Sequence, residues 1–132
     1  MKPSGCIGVD LDGTLAFDYE GEFRPDNIGD PVPEMEQKVK EWISNNIRVV
    51  IFTARAHDPE NIPPIKKWLK RNGFGDLEVT NVKTPDIKLI YDDKAYRVFK
   101  DTGRTDDEIP DEVKTADGYA TFSLLKKLSS ES

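Results

Sequence analysis

The chain reads as an α/β protein with an open, mainly parallel central sheet in a three-layer, Rossmann-like arrangement. Three observations predict this. Short apolar runs rich in β-branched residues alternate with longer segments of helical period. Their order is strand, helix, strand, helix, strand, strand. The first run, Cys6 to Leu11, is apolar on both faces except at Gly8, as expected of a strand buried inside a parallel sheet.

The elements follow in order. After the first strand, residues 16–32 change character. Ala16 to Pro25 alternates aromatic and polar residues around Gly21, which suggests a small hairpin or flap. Asp26 to Pro33 is dense in turn formers and reads as loop. A helix begins at Pro33 or Glu34, where proline is tolerated and acid suits the dipole. Met35, Val39, Trp42 and Ile43 give it an apolar face, and Asn45-Asn46 end it. Ile47 to Phe52 is the second strand. Ile62 to Asn72 is the second helix, with Ile65, Trp68 and Leu69 facing the core, Gly73 closing it and a basic outer face. Leu77–Thr80 and Lys88–Tyr91 are the third and fourth strands, and Tyr96–Phe99 is a short fifth. The segment 101–117 is acidic and turn-rich, and Tyr119 to Leu128 reads as a closing helix.

At 132 residues the chain reads as one domain, 1–132, with 16–32 as its insert and 101–132 as an acidic loop and C-terminal helix. Its net charge of −6 disfavours sequence-blind binding to nucleic acid or an anionic membrane. The single cysteine, Cys6, cannot form an internal disulfide, and no signal-like or spanning apolar run is present. A cytoplasmic protein with no membrane partner is expected. A homo-oligomer stays open.

The stretch that points to function is Asp10-Leu11-Asp12-Gly13-Thr14-Leu15. On a strand, Asp10 and Asp12 would share a face. Two carboxylates that close resist joint ionisation unless a cation sits beside them. The alternative is a strand running into an ordinary Asp-Gly turn. The other strands also end in polar residues: Thr53 with Ala54 and Arg55, Asn81 with Lys83, and Asp92 with Asp93. In open α/β sheets the ligand site lies outside the carboxyl ends of the strands. An oxygen-only set of carboxylates favours a hard cation, here Mg²⁺, which usually bridges to phosphate. A hydroxyl at Thr53 and a cation at Lys83 supply parts of a phosphoryl cradle. Zinc spacing, a Ser/His pair and a P-loop are all missing. A carboxylate nucleophile is the chemistry that remains: one aspartate attacks phosphorus, and a second protonates the leaving alcohol and then activates water.

These residues resemble the motifs of the haloacid dehalogenase superfamily of phosphatases. Asp10 to Leu15 is similar to its first motif, Thr53 to its second, Lys83 to its third and Ile90-Tyr91-Asp92-Asp93 to its fourth. The resemblance covers roughly residues 6–99. It implies Asp10 as nucleophile and Asp12 as general acid/base. Thr53 and Lys83 would bind the phosphoryl oxygens, and Ala54 and Arg55, which follow Thr53, are counted with them as candidate substrate-binding residues. Asp10, the Asp12 backbone carbonyl and Asp92 would hold Mg²⁺, with Asp93 assisting. The resemblance also implies a nearly capless member, since neither gap has room for a cap domain.

Lys88 competes with Lys83, but it opens its strand and would lie about 13 Å from the functional edge at about 3.3 Å per residue. Arg55 is either a clamp for a second anionic group of the substrate or a surface ion-pair residue, and His57 is a helix-entry residue. The expected activity is Mg²⁺-dependent hydrolysis of a phosphomonoester, either a small molecule or a nucleotide or polynucleotide end. The rivals are a non-catalytic phospholigand-binding module and a phospho-acceptor switch. The second aspartate and the Gly-Thr-Leu that follows it fit the switch poorly.

Overall fold

The computed structural model describes residues 5–18 and 25–105. The chain divides into two compact units, Met1–Ala95 and Tyr96–Ser132. The first holds four strands, β1 (Cys6–Val9), β2 (Val49–Phe52), β3 (Glu78–Thr80) and β4 (Ile87–Tyr91), with two helices, α1 (Pro33–Ser44) and α2 (Ile62–Arg71). Two short 3₁₀ turns, Ala54–His57 and Pro59–Asn61, lie between β2 and α2.

All strand pairs are parallel, and the sheet order is β3-β2-β1-β4. The chain steps from β1 to β2 to β3 in one direction and then returns to place β4 on the other side of β1. Right-handed connections therefore put α1 and α2 on the same face. The core between them and the sheet is formed by Val9, Leu11, Val49, Ile51, Val39, Ile65, Trp68 and Leu69. Among the described residues no α-helix besides α1 and α2 packs on the sheet, so only two of the three expected layers are seen, and the expected closing helix Tyr119–Leu128 falls outside the described residues.

The helices form where the apolar period allows. Pro33 occupies the first turn of α1 with Glu34 and Glu36 beside it. Asn46 takes a left-handed φ of 62° just past its end. α2 carries Ile65, Trp68 and Leu69 on its buried side, and Gly73 follows it with φ 84°. β1, β2 and β3 are shorter than the apolar runs that predict them, whereas β4 starts one residue earlier than expected. β1 stops at Val9 because Leu11 already turns inward to the core, where it is fully buried. β2 starts only at Val49, since Ile47 N–H bonds the Trp42 carbonyl and still belongs to the helix exit.

In the second unit the expected strand Tyr96–Phe99 does not form. Val98 and Thr105 make a single antiparallel bridge, and Phe99 N–H bonds Arg104 O at 3.0 Å. Asp101 and Gly103 both take positive φ, which folds this segment back on itself. The rest of 101–117 lies outside the described residues from 106 onward.

Candidate functional site

The register of the sheet sets the site. Val9 is level with Ile51 on one side and Tyr91 on the other, and Ile51 is level with Val79. One residue further along, Asp10 and Asp92 follow their strands at the same edge, with Thr53, Asn81 and Lys83 just beyond. Asp10 N–H extends the ladder by bonding Tyr91 O at 2.9 Å. β1 is also where the order of connections reverses, the position at which open α/β sheets leave a crevice.

Three carboxylates converge there. Asp10, Asp92 and Asp93 each offer an oxygen within 4.8 Å of the others. Tyr91 packs on Trp42 of α1 with ring centroids 5.0 Å apart, which braces the end of β4 from below. Residues 10–16 form a tight turn: Leu15 and Ala16 N–H groups bond Leu11 O at 3.0 and 2.9 Å, and Gly13 N–H bonds Ala16 O at 2.8 Å. Thr14 stands at its tip. Its hydroxyl donates to Asp93 Oδ1 at 3.0 Å, lies 3.5 Å from Asp10 Oδ2, and accepts from Asp93 N–H at 3.0 Å.

Gly13 has φ 88°, and a Cβ built there would lie 2.7 Å from Asp93 Oδ2. Only glycine allows the Asp93 carboxylate to approach the turn this closely.

The charge balance of this trio is unusual. Among the described residues, none of the three forms an ion pair with Lys or Arg. Half-burial, then a hydrogen bond to the Asp93 carboxyl and the charges of Asp92 and Asp93, push the Asp10 carboxyl up to about 7. A group of hard oxygen donors with surplus negative charge is what a divalent cation such as Mg²⁺ requires. The donor set therefore fits that ion.

The Asp12 carboxylate stands outside this trio. Arg55 takes both of its oxygens, Nε–H to Oδ2 at 2.7 Å and Nη2–H to Oδ1 at 2.8 Å. Of the two alternatives for Arg55, the ion pair is the one present, but it is buried and not on the surface: the side chain is only 8% exposed and is engaged by Asp12, so it does not face an open site as a clamp. A bidentate pair with a carboxylate 43 residues away outcompetes solvent. An Asp12 contribution to a metal would fall to its backbone carbonyl.

Thr53 is buried, and its N–H bonds Thr80 O at 2.9 Å. Its hydroxyl oxygen accepts from Arg55 N–H at 3.2 Å, which opens the 3₁₀ turn that starts at Ala54. The hydroxyl proton is uncommitted among the described residues. Lys83 is exposed just past β3 and bonds no described residue, so the fold brings it to the functional edge without fixing its ammonium. Lys88 sits at the opposite edge, against Gly5, with Nζ on Pro85 O at 3.3 Å. His57 Nδ1 lies 2.9 Å from Ala54 O.

The sequence reading did not single out Thr14 or Gly13 as site residues, although both lie within the motif it used. It also missed Trp68 and Asn61 as supports. Trp68 Nε1–H bonds Gly29 O at 2.8 Å, pinning the returning limb of the insert onto α2. Asn61, 2% exposed, bonds Arg55 O at 2.9 Å.

The chain matches no family model, no curated protein and no solved structure. Among the described residues no helix is long and apolar enough to cross a membrane.

Proposed function

We propose that this protein is a Mg²⁺-dependent phosphomonoesterase of the haloacid dehalogenase type, working through an aspartyl-phosphate on Asp10. The observation that carries the reading is the convergence of Asp10, Asp92 and Asp93 at the reversal point of a parallel sheet, with no basic side chain paired to them among the described residues. The separate Asp12–Arg55 pair beside them supports it, since the chemistry needs two carboxylates in different environments.

Asp10, Asp92 and Asp93 would hold the Mg²⁺, which supplies charge neutralisation for the phosphoryl oxygens. Asp10 lies at the end of β1, rigid through its ladder bond to Tyr91 O. Its free carboxylate oxygen attacks phosphorus, and the alcohol leaves with a proton that Asp12 has first taken from solvent on a lone pair Arg55 leaves open. Asp12, now ionised, takes a proton from the water that cleaves the acyl phosphate, which returns Asp10 and releases phosphate. The Thr53 hydroxyl proton serves as a phosphoryl donor, and Lys83 swings in as a cation.

The test is phosphate release from an aryl phosphate, with Mg²⁺ and with EDTA, by wild type and Asp10→Asn. Metal-dependent turnover lost by at least about 10³-fold in Asp10→Asn is the expected result. Absence of turnover together with absence of any Mg²⁺-dependent rise in melting temperature sinks the reading. A panel of sugar phosphates, nucleotides and 3′-phosphorylated oligonucleotides then sorts the substrate class.

A further inference from the structure

Asp12 and the returning limb of the insert are held by one side chain. Arg55 Nε–H and one Nη2–H engage the two oxygens of Asp12, and Nη2 also donates to Asn27 O at 3.0 Å. Nη1 lies 3.5 Å from Pro25 O. The guanidinium is thus wedged between the turn after β1 and the limb that returns to α1.

Its own backbone is braced on both sides, by the Thr53 hydroxyl on Arg55 N–H and by the buried Asn61 amide on Arg55 O. The limb is braced separately by the Trp68 indole on Gly29 O. A lone carboxylate turns freely about its last bond, whereas a two-pronged guanidinium fixes its plane. Each Asp12 oxygen keeps a lone pair for a leaving group or a water.

We infer that Arg55 is a positioning residue: it sets the plane of the Asp12 carboxylate and ties it to the limb 25–29, so that the insert and the acid/base group share one geometry. This rests on the phosphomonoesterase reading. A misplaced acid/base group costs about 10²-fold in rate even when binding is intact. The same contacts argue against Arg55 as a substrate contact, because Nε and both Nη2 hydrogens are already spent on protein oxygens.

The experiment compares steady-state hydrolysis of an aryl phosphate with Mg²⁺ by wild type, Arg55→Lys, and Arg55→Ala with and without added guanidinium ion. Lysine keeps the charge and much of the volume but cannot make the two-pronged bond, so it carries the test if Arg55→Ala does not fold.

The expected result is a kcat lower by about 10–10²-fold in Arg55→Lys with KM within about threefold, and partial recovery of Arg55→Ala by guanidinium. A raised KM with kcat retained would make Arg55 a substrate contact and overturn the positioning role while leaving the phosphatase reading intact. Unchanged kcat and KM would overturn it equally. A wild type that releases no phosphate with any metal brings down the phosphatase reading first, and this inference with it.

Discussion

The two edges of the sheet each gather acidic side chains, and they treat them in opposite ways. At the amino edge, Glu78 and Asp86 flank Arg48, which bonds both at 2.8 and 2.6 Å. The Thr84 hydroxyl and Arg48 hold the Asp86 carboxyl below its ordinary value. At the carboxyl edge, Asp10, Asp92 and Asp93 crowd together, and Asp10 is pushed up to about 7. An acidic cluster that only holds the fold together brings its own cation. One that leaves its charge unbalanced, at a half-buried position, stores an unfavourable interaction that only something added can relieve.

The largest expected effect breaks the contrast by adding the cation. Mg²⁺ at about 100 times its Kd should stabilise wild type by about 2.7 kcal/mol, seen as a rise in melting temperature that EDTA reverses. Asp10→Asn should lose most of that rise. An equal response in the variant would mean that the trio does not bind the ion.

Next in size is Gly13→Ala. The added Cβ meets the Asp93 carboxylate on a left-handed backbone, so a cost of about 1–3 kcal/mol is expected in urea unfolding. Its Mg²⁺-dependent stabilisation should also shrink. Wild-type stability and metal response in Gly13→Ala would show that Asp93 need not approach the turn.

The pH dependence sharpens the contrast. The folded Asp10 carboxyl binds its proton more tightly than the unfolded one, about 7 against 3.8. Metal-free stability from this group is therefore fully present below about pH 4 and is lost as pH rises through about 7. The size is about 1–2 kcal/mol once solvent screening of this half-exposed group is discounted. Asp86 has the opposite sign: its lowered value contributes stability above the unfolded carboxyl range and loses it as pH falls. Melting temperatures of metal-free wild type and Asp10→Asn between pH 4 and 8 should diverge with rising pH, the variant being the more stable. Parallel curves would remove the charge conflict from the account.

The smallest effect is expected from Arg48→Met. Its two ion pairs are exposed and screened, so melting temperature should fall slightly with turnover unchanged. A large loss of turnover would mean that the amino edge communicates with the site.

The two helices and the four strands of the first unit were legible because they rest on local periodicity, whereas strand ends shifted by one or two residues where tertiary contacts set them. The carboxyl ends of β1 and β4 could be read off Asp10, Asp92 and Asp93, since a parallel sheet forces its strand ends to one edge. Arg55 was not legible. Its partner Asp12 lies 43 residues away, and a motif says nothing of which long side chain will fold back to meet it. The support of the insert was invisible for another reason. Asn27, Gly29 and Pro25 act through backbone carbonyls, and every residue type carries one. Tyr96–Phe99 misled as a strand because aromatic and β-branched content signals extended chain, not a neighbour to pair with.

The pairing of β1 with β4 also governs when the site comes into being. Thr14 and Asp93 are 79 residues apart along the chain, so the carboxylates meet only after the largest loop in the first unit has closed. Closing so long a loop costs chain entropy before the contacts it brings together repay it. If the trio takes a cation as proposed, newly made chain would lack a place for it until β4 is built. Such an ion would then reward only a finished sheet.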